Sequence, residues 1–412
     1  MPSRSRLGIV AERALLIVGA PLVFLLVAEL VLAITGLDTD LARNKNAKIA
    51  VPVWLLADEN WVRDRQTKLR RSGGKPIEAE EVAWLYHFEE ARYIQYKLKP
   101  GIEVQVVNPF NEIEVQHKIT FELTSNRAGF RDREMRPKAP GMIRIVTLGD
   151  SSTFGWGVDA DHTYQRVLES LLGERYPRRR FEVLNLGMPG YNSRHGIGVL
   201  EHYALELDPD VLIFSFGAND ARLVLVPTAV VLDRDDSALA GVRFGLLKLR
   251  TYRLLRKAIF TLRDPIAAKE APTLVPAVSL AEFEDNLRRL IRESAQRGAR
   301  SVLLSVCTGV RTYAAALRNV AAEQRVPSID VRALFSDKIE AVRSGELLPQ
   351  IVQGYRTRYG ARALQERQSL YVTSDGCHPH HVGHTLIAQE LVQVVDRLLH
   401  QPALPNSPGD SP

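Results

Sequence analysis

Five short apolar runs, "IRIVTL", "FEVLNL", "DVLIFSF", "SVLLSV" and "VPSIDV", punctuate residues 143 to 331 and are separated by stretches with helical spacing. The runs are β-branched and nearly continuous, the pattern of strands buried on both faces. Between them Tyr164, Val167, Leu168, Leu171 and Leu172 recur at three- and four-residue steps. Further helices are expected around Ile197 to Leu207, from Ser279 (a capping box with Glu282), over Thr312 to Gln324 and over Val382 to Leu399. Alternating strands and helices leave one economical solution, a flavodoxin-like three-layer α/β/α sandwich around a parallel five-stranded sheet. Ligands of such sheets bind beyond the carboxyl ends of the strands.

The first strand ends on Gly149-Asp150-Ser151-Ser152. An ordinary βα turn would account for Gly, Asp and Ser there. A serine aimed at a substrate would account for them too, provided that a base exists to take its proton. "SDGCHPHHVGH", residues 374 to 384, supplies one: Asp375 stands three residues before His378. On one loop that spacing lets the carboxylate hold the Nδ1 proton and leaves Nε2 free for Ser151. The second and third strands end on "NLGMPG" (185–190) and "GAND" (217–220). A glycine N–H and the Asn219 amide at those ends are donors for a developing oxyanion. Asp150 and Asp220 are expected to hold backbone in their turns. His378, His380, His381 and His384 lack the spaced Asp, Glu or Cys of a metal site, and no Gly-Lys-Ser/Thr follows Gly187, Gly190, Gly196 or Gly198. Neither a metal nor a nucleotide cofactor is expected.

These four stretches, in this order, resemble the SGNH hydrolases, also called GDSL esterases. The resemblance covers about residues 120 to 400, because "SNRAGFRDRE" (125–134) looks like the approach segment of membrane-anchored bacterial members. It implies Ser151 as nucleophile, Asp375 and His378 as its dyad, and an oxyanion hole of Ser151, Gly190 and Asn219. His380 departs from the Asn often found after "HP" in the family, at a position outside the dyad. No GxSxG elbow is present. The implied activity is a serine esterase acting on O-acyl esters, acetyl in the first instance, of a carbohydrate. Acyl transfer to a glycan by the same triad is the alternative, and an inactive glycan-binding module a minor one.

Ahead of this domain, Ala14 to Leu37 is 24 residues with one charge, Glu29. That is long enough for a transmembrane signal anchor and longer than a signal-peptide core. Arginines precede the span and basic residues follow it, so the positive-inside count ties. Anchor and family together place the N-terminus inside, the catalytic domain in the periplasm, and the chain in the inner membrane by a single pass. The expected domains are a cytoplasmic tail (1–13), the anchor (14–37), a stalk with a small β-rich lead-in (38–140), the hydrolase domain (141–400) and a disordered tail (401–412).

The net charge of +6 is local, since residues 241 to 269 carry eight Lys or Arg against Asp264. This argues against nucleic acid as a partner. Within a basic helical insertion, about 221–278, the stretch from Tyr252 to Arg263 reads as an amphipathic helix. It either packs on the domain with a solvated basic face or meets lipid headgroups or an anionic polymer. Cys307 and Cys377, the two cysteines, fall at the fourth strand end and between the dyad residues. In an exported domain they either pair or pack as free thiols.

Overall fold

The computed structural model describes residues 6–35, 88–107, 120–224, 226–233, 238–252, 254–255, 274–359, 370–371 and 376–400. The expected stalk before residue 88, most of the 252–263 helix, Asp375 and the 401–412 tail lie outside the described residues. The chain divides into two compact units, Met1–Ala50 with Arg234–Pro272, and Val51–Asp233 with Thr273–Pro412.

The second unit is built on five strands: β1 (Met142–Gly149), β2 (Arg180–Asn185), β3 (Val211–Ser215), β4 (Arg300–Ser305) and β5 (Ser328–Asp330). All neighbours pair in parallel, in the order β2-β1-β3-β4-β5, the flavodoxin-like order. The strands are apolar on both faces because both are covered. Val146, Leu148, Leu212, Phe214 and Leu303 pack in one core with the helix Leu280–Gln296 (Phe283, Leu287, Leu290) and the helix Arg311–Glu323 (Leu317, Val320). Ile145, Val183, Ile213, Val302 and Leu304 pack in a second core with the helices Tyr164–Arg175 (Leu168, Leu172) and His381–His400 (Ile387, Leu391, Val395). Truncating any one of these leucines to alanine is worth about 2–5 kcal/mol. Arg144 is the one charge facing inward from β1. Its Nε pairs with Glu182 at 2.5 Å across the β1–β2 register, and its other nitrogens bond the carbonyls of Leu207 and Arg136.

Several elements differ from the sequence reading. Between β2 and β3 the helix begins at Ser193, capped by Asn192, and passes through a π turn at Leu200–Ala204 and a 3-10 turn at Leu205–Leu207. Ser279 caps its helix by accepting from the Glu282 N–H, one half of the expected box. Two helices that the sequence reading did not assign, Val331–Ser344 and Pro349–Tyr359, follow β5.

The lead-in forms two antiparallel hairpins, Phe88–Ala91 with Gln95–Leu98 and Glu103–Val107 with Thr120–Thr124. Tyr96, Phe121 and Leu123 join the first core, so these strands are part of the domain wall. The connector "SNRAGFRDRE" is equally integrated. Arg131 is buried and donates to the carbonyls of Glu122, Phe154, Gly155 and Val158, and burial lowers its pKa to about 10. A guanidinium satisfies four carbonyls in one place because its N–H groups fan out in a plane.

In the first unit a helix runs over Arg6–Thr35; of the expected span Ala14–Leu37, Gly36 and Leu37 lie outside the described residues. Among the described residues, no helix is long and apolar enough to cross a membrane.

Candidate active site

The site is assembled at the carboxyl ends of β1, β2, β3 and β4. Gly149 closes β1 where a methyl group would meet Thr153 Oγ1 at 2.2 Å and the Ser215 carbonyl oxygen at 2.7 Å. Only glycine allows β3 and the following turn to come so near. Asp150 then caps the short helix Ser151–Phe154 by accepting from the Ser152 N–H at 2.8 Å. This turn presents the Ser151 hydroxyl, which lies 2.8 Å from His378 Nε2 and donates to it when the ring proton sits on Nδ1.

His378 reaches Ser151 because its loop is tied down on three sides. A disulfide joins Cys377 to Cys307, next to the end of β4. Thr308 N–H donates to the Gly376 carbonyl at 3.0 Å, and the Ser152 hydroxyl donates to the Cys377 carbonyl at 2.7 Å. The second serine of "GDSS" therefore positions the loop that carries the histidine, a role the sequence left unassigned.

Gly190 has φ +87°, a conformation that favours glycine. Among the described residues no acceptor is bonded to its N–H. The carbonyl of the same peptide, on Pro189, accepts from the Tyr96 hydroxyl at 2.7 Å. Asn219 Nδ2 donates to the Tyr191 carbonyl at 3.0 Å and has a second N–H beyond that bond. Asp220 braces the two loops: its carboxylate accepts from the Ser193 N–H and hydroxyl and from the Gly217 N–H. A cleft of about 240 Å³, counting its open mouth, is lined by Asp150, Ser215, Gly217, Ala218, Cys307 and Ala314.

Burial raises the Asp220 pKa to about 7, against the bonds from Ser193 and Gly217 and with a further push from the Asp150 charge. A carboxyl raised above its unfolded value near 3.9 favours the fold while protonated. That contribution is complete below about pH 4 and is lost as pH rises through about 7. The melting temperature of wild type is expected to fall across that window relative to Asp220→Asn, and parallel pH profiles would refute the assignment.

The histidines after the dyad serve the last helix. His380 Nδ1 accepts from the Val382 N–H, His381 stacks on His162, and His384 Nδ1 accepts from the Tyr164 N–H. Among the described residues no cluster of His, Cys, Asp and Glu is arranged to hold a metal.

A serine hydroxyl on a histidine at the end of the first strand of a parallel sheet defines a serine hydrolase of the three-layer α/β class. The profile of the GDSL-like Lipase/Acylhydrolase family matches residues 147–386. The chain belongs to that family and is a serine ester hydrolase. It is similar to an α/β hydrolase enzyme from the metagenome of Lake Arreo, Spain, at 18% identity over 62% of this chain and 96% of that one, with a TM-score of 0.37. A lipase/acylhydrolase from Enterococcus faecalis matches at 18% identity over 62% and 97%, TM-score 0.37. An acetylxylan esterase from Geobacillus stearothermophilus matches at 16% over 61% and 94%, TM-score 0.36. No curated protein matches the chain.

Proposed function

We propose that the protein is a membrane-anchored, extracytoplasmic esterase that cleaves O-acetyl esters of a carbohydrate. The observation that carries the catalytic assignment is the 2.8 Å contact of Ser151 Oγ with His378 Nε2 at the end of β1. Ser151 attacks the acyl carbonyl as its proton passes to His378. The oxyanion is held by the N–H groups of Ser151 and Gly190 and by the Asn219 amide. The alcohol leaves with the proton from His378. Water, deprotonated by the same ring, then releases the acid from Ser151. Asp375 holds the Nδ1 proton in this scheme.

The disulfide supports an oxidising compartment. Attachment to the membrane is supported by the apolar composition of residues 14–37.

The test is a chromogenic acetyl ester assay with and without an acetylated oligosaccharide or an oligosaccharide acceptor. Release of acetate is expected. Movement of the acetyl group onto the acceptor in its place would assign acyl transfer, and no turnover of any acetyl ester would overturn the reading. Protease added to intact spheroplasts should degrade the chain beyond residue 40, and full protection would reverse the orientation.

A further inference from the structure

We propose that residues 238–255 form a second membrane element, fastened to the apolar N-terminal helix through Glu29 and seated in the headgroup layer of an anionic bilayer. The inference rests on the membrane attachment proposed above. Glu29 is the one charge between Ala14 and Leu37. Its Oε1 accepts from the Arg250 N–H at 2.5 Å, and its Oε2 accepts from the Thr251 N–H at 3.0 Å and the Thr251 hydroxyl at 2.9 Å. Arg250 Nη1 also donates to the Leu32 carbonyl at 3.3 Å. A carboxylate in an apolar helix is costly in lipid unless donors come to it, so whatever depth Glu29 takes, Arg250 and Thr251 share.

That depth is shallow. Glu29 stands six residues before Thr35, the last described residue of this helix, about 9 Å of rise. Interfacial helices bury their apolar face about 5–10 Å below the headgroups. The second segment is suited to that level. In it the helix Ala238–Leu246 carries Leu239, Val242 and Leu246 at steps of three and four, Leu249 follows just past its end, and all four are exposed, Leu239 to 78%. Arg243, Lys248 and Arg250 flank this stripe. A soluble anionic polymer would use the cations and leave the stripe in water, whereas an anionic bilayer takes both. The same holds for the helix beside it, where Leu22, Phe24, Leu26, Leu30 and Ile34 are all more than half exposed. The lone charge in the anchor therefore reads as the fastening point of a second element.

The test is amide hydrogen exchange on the full chain reconstituted in phosphatidylcholine vesicles, with and without phosphatidylglycerol. In the mixed vesicles, peptides covering 19–35 and 239–252 should both be protected. Glu29→Ala should speed exchange over 239–252 at least about tenfold while 19–35 stays protected. Val242→Glu, which leaves the Glu29 contacts in place, should do the same. Fast exchange of wild-type 239–252 beside a protected 19–35 would overturn this inference alone. Fast exchange of both would overturn the anchor as well. Equal protection of 239–252 without phosphatidylglycerol, or protection by heparin in the absence of vesicles, would overturn the anionic bilayer as partner.

Discussion

Alanine at Ser151 or at His378 is expected to lower acyl-ester turnover by about 10⁴-fold or more, with the double variant no slower than the worse single one. The two act as one unit: without the imidazole the hydroxyl keeps its proton, and without the hydroxyl the imidazole has nothing to activate. Their geometry, 2.8 Å between Oγ and Nε2, leaves no room for a water between them. Ser151 is only partly buried, so its loss should not unfold the domain. Folded Ser151→Ala protein, checked by circular dichroism, that keeps more than about a hundredth of wild-type kcat/KM would overturn the assignment.

The second large effect is expected from the Cys307–Cys377 disulfide. Denatured, unreduced protein should titrate no free thiol. The bridge spans a sequence separation of 70 residues, for which the chain-entropy argument gives about 4 kcal/mol of stabilisation. Cys377→Ser should therefore lower stability by several kcal/mol, or less where the reduced chain keeps residual structure. Activity should fall as well, because Cys377 adjoins His378 and its carbonyl holds the Ser152 hydroxyl. Ser152→Ala separates the two effects: it keeps the bridge and removes the hydroxyl bond. A fall in kcat with KM unchanged is expected, together with a shift in the pH profile of kcat/KM. Unchanged kcat in both variants would mean that the loop holds its place by packing alone.

Much of the sheet is legible because both its faces are covered, so strands such as Ile143–Leu148 carry one continuous apolar signal. Ser151 and His378 are legible for a different reason, since activation of a hydroxyl demands a base and few histidines offer themselves. Other features depend on distances that a sequence does not contain. Arg131 reads as one more charge in a polar connector, yet it is buried among carbonyls from four separate peptides. The helix expected around Ile197 begins at Ser193, where the Asn192 cap sets it. In the helix Val331–Ser344 the buried residues are Val331, Phe335 and Val342, too sparse among charges to stand out. Ser152 and Asp220 were visible as residue types but their partners, Cys377 and Ser193, are distant in the chain.

The Tyr96 bond to Pro189 bears on where the enzyme begins. A peptide unit is planar, so fixing its carbonyl fixes the direction of its N–H on the opposite side. The N–H in question belongs to Gly190, and the hydroxyl that fixes the carbonyl comes from a hairpin some ninety residues earlier. With Gly190 as the oxyanion donor proposed above, the smallest fragment able to stabilise the transition state includes the hairpin of Phe88–Ala91 and Gln95–Leu98, well before the sheet. A chain trimmed to its flavodoxin-like layers would keep Ser151 and His378 and lose the hydroxyl that aims the Gly190 N–H.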